Sequence, residues 1–506
     1  MKTYQLWTLL GVMLIAACST NKKVTQQNTV TEQYRPQFHF SPKANWMNDP
    51  NGMVYLKGVY HLFFQHNPGG TTWGPMHWGH ATSDDLMHWT EQPIALYPDS
   101  LGTIFSGSAV VDKDNTAGFG KNAIIAIFTH HNKKIEDAKT GLHQYQSIAY
   151  STDEGKTWAK YKGNPVLPNP GIWDFRDPKV QWYEAGKKWL MTLATKDRIT
   201  FYSSPNLKNW TKESEFGEKL GAHGGVWECP DLVSLDHNGT KKWVLLISIN
   251  PGGPTSGSAT QYFVGDFDGK TFVPDNTGTR WADHGADDYA GVTFSNTGDR
   301  KVFIGWMTNW NYANVVPTKA WRSAMTIPRE LKLRDVNGTL YLAAEPVAEL
   351  AKITGPYASL QNVAINGGYD LSPKISGFGG KYLLNIELAK REDLTLHLSN
   401  ANGNAVLVGY DKASNTYYVD RTRSGDVGFE QSFARKTIAP RVAAGEGLSI
   451  KLLVDVASVE VFTDDGLSVL TNIFFPQEPL NQLHIKSTGP LQLKKITYSG
   501  VKPSTR

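Results

Sequence analysis

The residues best suited to chemistry are three carboxylates, each in an Asp-Pro or Glu-x-Pro run with a Trp, Phe or Arg close by. Asp49 lies in Trp46-Met47-Asn48-Asp49-Pro50-Asn51-Gly52, Asp177 in Phe175-Arg176-Asp177-Pro178, and Glu228 in Trp227-Glu228-Cys229-Pro230-Asp231. Pro50 and Gly52 predict a tight turn around Asp49, where neighbouring N–H donors keep a carboxylate ionised and aimed. The same turn chemistry also serves an Asx-turn, in which Asp49 only caps its own backbone. The guanidinium of Arg176 is expected to lower the pKa of Asp177 and fix its rotamer. Glu228 stands between an indole and a small apolar thiol, where desolvation favours its protonated form. One carboxylate kept ionised and one kept protonated is the pair that glycoside hydrolysis uses: the first attacks the anomeric carbon, the second protonates the leaving oxygen.

Residues this far apart need a fold that brings them to one place. Ser83-Asp84-Asp85-Leu86-Met87-His88-Trp89-Thr90 is echoed by Ser151–Trp158, by Ser204–Thr211 and more faintly by Asp266–Phe272. Each copy is a polar turn leading into an aromatic, preceded by a strand-like run such as Ser147-Ile148-Ala149-Tyr150. A spacing of roughly fifty to seventy residues fits one four-stranded blade and its loops. Four visible turns predict four to six blades of a propeller, whose inner strands converge on one axis; coincidence among Ser/Asp/Gly turns is the alternative. From about Gly338 the texture changes. Asn337-Gly338 reads as a hairpin turn and 342–350 as a connecting segment with helical tendency. Alternating runs such as Tyr382–Leu388, Leu394–Leu398, Leu448–Val454 and Ser458–Phe462 then predict a β-sandwich. The expected division is a propeller over 36–345 and a sandwich over 346–506.

The chain has 506 residues, a net charge of +4 and 19% charged residues. Its length calls for two or more domains, and the balanced charge excludes a nucleic-acid surface, which needs clustered Lys and Arg. Sixteen Trp and 47 Gly suit an all-β protein that handles rings, with most of the indoles in its core. The two cysteines, Cys18 and Cys229, form no disulfide framework and no zinc pattern. Cys18 ends an apolar run from Leu6 to Ala17 that is too short to span a bilayer but is the length of a signal-peptide core. Ile15-Ala16-Ala17-Cys18 resembles a bacterial lipobox, so 1–17 is expected to be a leader, Cys18 a lipidation site and 18–35 a flexible tether. An ordinary secretion signal is the alternative. Either reading predicts export; the first predicts anchoring in a membrane at its periplasmic or outer face. The loop Thr129-His130-His131-Asn132-Lys133-Lys134 could be read as a metal site, but adjacent histidines point to opposite faces of a strand, so a substrate-rim or structural role is expected.

Taken together, WMNDPNG, FRDP and WECPD, in this order and at these separations, resemble glycoside hydrolase family 32, the β-fructosidases: invertases, inulinases and levanases. The likeness runs over most of 36–500 and includes Phe63–Pro68, Phe105–Ser108, Gly305–Trp310, Trp321–Leu331 and Asp420–Gly425. The resemblance implies a five-bladed propeller joined to a β-sandwich. It also implies Asp49 as nucleophile, Glu228 as acid/base and Asp177, with Arg176, as the group that holds ring hydroxyls and stabilises the transition state. Trp46, Asn48, Gln65, Trp73, Phe105, Ser106 and Trp310 match positions expected to bind the terminal fructose. It further implies retention of configuration, with Asp49 and Glu228 about 5–5.5 Å apart, and neither metal nor organic cofactor. The chain departs from the family pattern at Asp288, where an aromatic is usual; this residue is expected at the pocket rim or solvated and neutral.

Levan is the favoured substrate, followed by inulin, with sucrose as a further candidate. A fructosyltransferase uses the same carboxylates but passes fructose to a sugar, and a non-catalytic fructan-binding protein would keep the pocket without the chemistry. The three intact carboxylates argue against the last.

Overall fold

A computed structural model describes Met1 and residues 32–504. The expected leader beyond Met1, the lipidation site Cys18 and the tether as far as residue 31 lie outside the described residues. From residue 34 onward the chain forms one compact unit built almost wholly of strands.

Five sheets, antiparallel but for one short strand of the first, come first along the chain, and two six-stranded sheets follow. The five are blades whose first strands, Asn45–Leu56, Thr103–Asp112, Phe175–Tyr183, Val226–His237 and Tyr289–Thr293, contact one another in sequence order. The fifth returns to the first and closes a ring. Polar ties run round that ring. Ser108 Oγ donates to the Pro178 carbonyl at 2.8 Å, and Val180 N–H donates to Ser108 Oγ at 2.9 Å. Lys179 Nζ lies 2.9 Å from Asp231 Oδ2, which also accepts from Thr293 N–H at 2.7 Å. Ser295 and the first blade exchange backbone bonds through Met53 and Tyr55. A second closure is the two-residue strand Trp321–Arg322, which pairs in parallel with Asn45 and Trp46.

The sequence repeat has a structural identity. All four copies connect the third and fourth strands of a blade, and a side chain caps each turn. Asp85 accepts from the N–H groups of Met87 and His88, Asp153 from Thr157, Asn206 from Lys208 and Asn209, and Asp268 from Lys270 and Thr271. The fifth blade replaces this turn with Asn337-Gly338, both at positive φ, which joins Arg329–Val336 to Thr339–Pro346 as a two-residue hairpin. That substitution is why the fifth copy is not visible as a repeat. It also corrects the reading of 342–350 as a helical connection: Leu342 to Pro346 finish the blade, and only a short 3-10 turn, Ala348–Lys352, follows.

The C-terminal sheets pack face to face around a core that includes Leu384, Ile386, Leu396, Leu398, Leu452 and Ile485. Alternation along Leu394–Ser399, with Leu394, Leu396 and Leu398 buried and Thr395 and His397 partly exposed, puts one face of the strand inward. The seam between propeller and sandwich is charged. Arg329, 1% exposed, bonds Asp283 and Asp288 of the propeller and Glu460 and Thr471 of the sandwich. His39 bridges Asp455 at 2.9 Å and Glu460 at 2.7 Å. Buried ions hold only when paired in this way. Asp288 therefore lies neither at a rim nor in solvent: it is buried, 2.8 Å from Arg329.

Candidate active site

Each of the five inner strands carries a β-bulge at the same level. Asn48-Asp49 oppose Gln65, Phe105-Ser106 oppose Thr129, Asp177-Pro178 oppose Leu193, Cys229-Pro230 oppose Ile247, and Ala290-Gly291 oppose Gly305. Two residues against one leave a side chain unpaired and re-aimed, and a proline fits such a place because no ladder bond is lost. The expected tight turn at Asp49 is thus a bulge inside the strand Asn45–Leu56. Gly52, at φ 57°, keeps the strand against the second and third strands of its blade: a Cβ there would stand 2.5 Å from the Trp78 ring and 2.9 Å from Phe63.

Around this ring of bulges lies a cavity of about 430 Å³, lined by Asp49, Asp177 and Glu228. Asn48, Gln65, Trp73, Phe105, Ser106, Arg176 and Trp310 also line it. Trp46 does not; it is fully buried, donates its indole N–H to Asn48 Oδ1 at 2.8 Å and stacks on Trp310. Its route to a ligand is through those two residues. The sequence reading missed Gln144, Trp173, Asp174, Asn250 and Tyr289; the first four line the same cavity. Gln144 sits in an ordinary strand with no motif around it, whereas Tyr289 is signalled only by its place next to Asp288. A cavity of about 400 Å³ at the other end of the inner strands contains Asp231 already paired with Lys179, so the three converging carboxylates single out the first cavity as the place for chemistry.

The Cys229 thiol links two of the acids. Its Sγ lies 3.4 Å from Asp49 Oδ2 and 3.6 Å from Asp177 Oδ2, and its backbone N–H donates to Asp177 Oδ2 at 3.0 Å. Burial and the surrounding carboxylates push the thiol pKa well up, so it is a donor and not a thiolate. Asp49 receives neutral donors: Ser106 Oγ at 2.7 Å on Oδ2 and Asn48 Nδ2 at 3.0 Å on Oδ1. Burial outweighs the Ser106 bond and, with the charge of Glu228, raises the Asp49 pKa.

Arg176 is not the partner of Asp177. Its Nε and Nη2 donate to Glu228 Oε1 at 3.2 and 3.0 Å, and its Nη1 bonds Asp174. Asp177, in the left-handed region at φ 63°, is turned instead toward Cys229. Burial raises its pKa to about 7 against the opposing charge of Arg176, with Glu228 and Asp49 adding to the rise, the reverse of the expected lowering. The surroundings of Glu228 also differ from expectation: the Cys229 thiol points to Asp49 and the Trp227 indole donates away, to the Ala222 carbonyl. A guanidinium on Oε1 and the Tyr289 hydroxyl on Oε2 hold Glu228 instead.

Gln65, 2% exposed, leaves its Nε2 without a partner in the cavity wall, a donor available to a ligand. Phe105 lies flat on His131 with centroids 4.3 Å apart and meets Trp73 edge-on at 6.1 Å. Trp73 and Trp173, 45% and 39% exposed, supply apolar faces at the mouth. A small polar ring with apolar faces suits such a wall, and carboxylates in two different environments can divide attack and proton transfer between them.

The Glycosyl hydrolases family 32 N-terminal domain matches residues 39–344, and the Glycosyl hydrolases family 32 C terminal domain matches 350–500. A levanase of Bacillus subtilis is 45% identical over 520 residues, covering 99% of this chain and 75% of that protein. An extracellular exo-inulinase of Aspergillus ficuum is 41% identical, covering 90% of this chain and 92% of its own. The crystal structure of exo-inulinase from Aspergillus awamori superposes with a TM-score of 0.85 at 36% identity, covering 94% of this chain and 100% of that one. A β-fructofuranosidase of Schwanniomyces occidentalis complexed with fructosyl-erythritol gives 0.84 at 34% identity, covering 93% and 98%. The chain, a five-bladed propeller followed by a β-sandwich, belongs to family 32 of the glycosyl hydrolases.

Proposed function

We propose that the protein hydrolyses β-D-fructofuranosidic bonds in fructans, levan first and inulin second, with sucrose as a lesser substrate, by double displacement. Asp49 attacks C2 of the terminal fructose while Glu228 protonates the departing oxygen. Glu228 then takes a proton from water as that water displaces Asp49, so configuration is retained. Asp177 holds ring hydroxyls as positive charge develops. Asn48, Gln65, Ser106 and Arg176 supply polar contacts to the sugar, and Trp73, Phe105 and Trp310 its apolar walls.

The observation that carries this reading is the arrangement around Asp49. Asp49 is half-buried, its carboxylate is held only by neutral donors, and the charge of a second, differently held carboxylate, Glu228, acts on it. A lone pair on Asp49 is therefore not tied up by a cation, whereas Glu228 is held through both oxygens by Arg176 and Tyr289. The likeness to a levanase over nearly the whole chain supports the order of substrates.

Chromatography of products from levan, inulin and sucrose tests the reading. Fructose or fructo-oligosaccharides should appear fastest from levan. Dominant chain elongation from concentrated sucrose would turn it into a transferase, and no release from any of the three would end it.

A division near residue 345, the leader over 1–17 and lipid attachment at Cys18 belong to the same reading. The composition of 18–35 suits a tether from a membrane outside the cytoplasm. Mass spectrometry of the mature N-terminus should find a diacylglycerol-modified Cys18; an unmodified residue at a later cleavage site would replace the anchor with plain secretion.

A further inference from the structure

We propose that His131, Glu136 and His143 form a binding site for a divalent transition cation of the zinc class, open to the pocket that holds the three carboxylates. One ligand atom from each residue lies within 4.8 Å of the others, and all three residues line the cavity. His131 ends the strand Ala123–His131, Glu136 sits on the one-turn helix Lys133–Asp137, and His143 precedes the next strand, Gln144–Ser151. An ion there would staple the hairpin connection of the second blade. The expectation that adjacent histidines point apart holds for His130, which faces Ser147 at 2.8 Å. The second imidazole comes instead from across the hairpin.

An independent observation points to a ligand. His143 is 1% exposed, yet its Nδ1 is buried without a hydrogen-bond partner. A buried polar atom left without a partner is destabilising, and a cation in the cavity that His143 lines would give it one. His131 Nε2 already faces Glu136 Oε2 at 3.5 Å. The ligand atoms of a tetrahedral zinc with bonds of ~2.0–2.1 Å stand about 3.3 Å apart, so the triangle must close by no more than about 1.5 Å. The Glu136 side chain, 29% exposed, has room to make that move. Two imidazoles and one carboxylate suit zinc, cobalt, nickel or copper and not magnesium or calcium. Two cations oppose the site. Lys133 Nζ stands 3.3 Å from Glu136 Oε2, but it is 68% exposed and also bonds Asp137, so it can swing away. Arg176 is neutralised by Asp174 and Glu228.

Three protein ligands leave a fourth position for water or a sugar hydroxyl. The ion would lie beside Gln144, whose Oε1 accepts from Phe175 N–H and Arg176 Nη1. Bound metal should therefore compete with substrate. This second effect rests on the pocket being the fructose site; metal binding itself does not.

Calorimetric titration of the EDTA-stripped full chain with zinc chloride at neutral pH is the test. Wild type should give a saturable isotherm that weakens at least 10-fold in Glu136→Gln and in His143→Ala, with unchanged far-ultraviolet dichroism. Zinc should raise KM in wild type and do so less in Glu136→Gln. Absence of saturable binding, or an isotherm unaltered in folded Glu136→Gln, overturns the site. An inactive protein that still binds zinc through these residues would instead count against the hydrolase reading.

Discussion

The Arg176 guanidinium stands 3.0 Å from Glu228 Oε1 and donates nothing to Asp177, its neighbour in the chain. A cation from the third blade thus grips an acid of the adjacent fourth blade, while Asp177 is left to the Cys229 backbone and thiol. Arg176→Lys keeps the charge but cannot reach Glu228 and Asp174 together with a planar fork. It should lower kcat about 10²-fold with a smaller change in KM, measured by initial rates on inulin. Near-normal kcat would mean that the guanidinium only fills space.

Tyr289 is the other hand on Glu228. Its pKa is pushed well above that of a free phenol, first by burial and then by the charge of Glu228, so it remains a donor at every working pH. Tyr289→Phe removes one hydrogen bond and almost no volume. A loss of about 10-fold in kcat is expected, of the order of one charge-assisted bond, with the melting temperature nearly unchanged.

The acid limb of the pH–rate profile should lie above the ordinary carboxylate range. Asp49 is raised by burial, and Asp177 is raised to about 7 by burial against Arg176. The ionised nucleophile is the reactive form, so activity is lost as pH falls through a raised pKa and not a depressed one. The profile of kcat/KM, which reports the free enzyme, checks this. A limb at or below pH ~4 would show that the neutral donors on Asp49 outweigh its burial.

The seam between propeller and sandwich should weaken in alkali. Burial alone would depress His39, but hydrogen bonds to Asp455 and Glu460 override it and hold its pKa at about 9, above the 6.5 of a free imidazole. A raised folded pKa means stability fully present below pH 6.5 and lost as pH rises through about 9. The loss should reach about 3 kcal/mol. Thermal unfolding between those limits should show the fall in wild type, and His39→Gln should flatten it.

Much of this architecture was legible in the sequence, and the reasons are local. Turn-capping Asp85, Asp153, Asn206 and Asp268 announce the blades because a side chain that caps its own backbone needs no distant partner. Asp49, Asp177 and Glu228 stand out because each lies one or two residues before a proline. Pro50 predicts a turn, yet it directly follows a bulge, and Pro178 and Pro230 sit within bulges. A bulge is a mismatch with a neighbouring strand, and its partner residues, such as Gln65 for Asp49 and Ile247 for Cys229, are set by pairing rather than by adjacency. The same limit explains Arg176, whose partner lies 52 residues away, and Asp288, whose burial depends on Arg329. Gln144 carries no motif, and Tyr289 only a place beside Asp288; the closed ring reveals what they touch.

The stereochemistry of transfer to methanol tests the central claim most directly. With levan or sucrose as donor in dilute methanol, retention through a fructosyl-Asp49 intermediate predicts methyl β-D-fructofuranoside as the only methyl glycoside. NMR of the first products reads this out. Asp49→Ala should be folded and form none, its rate reduced at least 10⁴-fold. Methyl α-D-fructofuranoside from wild type, or steady β-product from Asp49→Ala, would contradict Asp49 as the nucleophile.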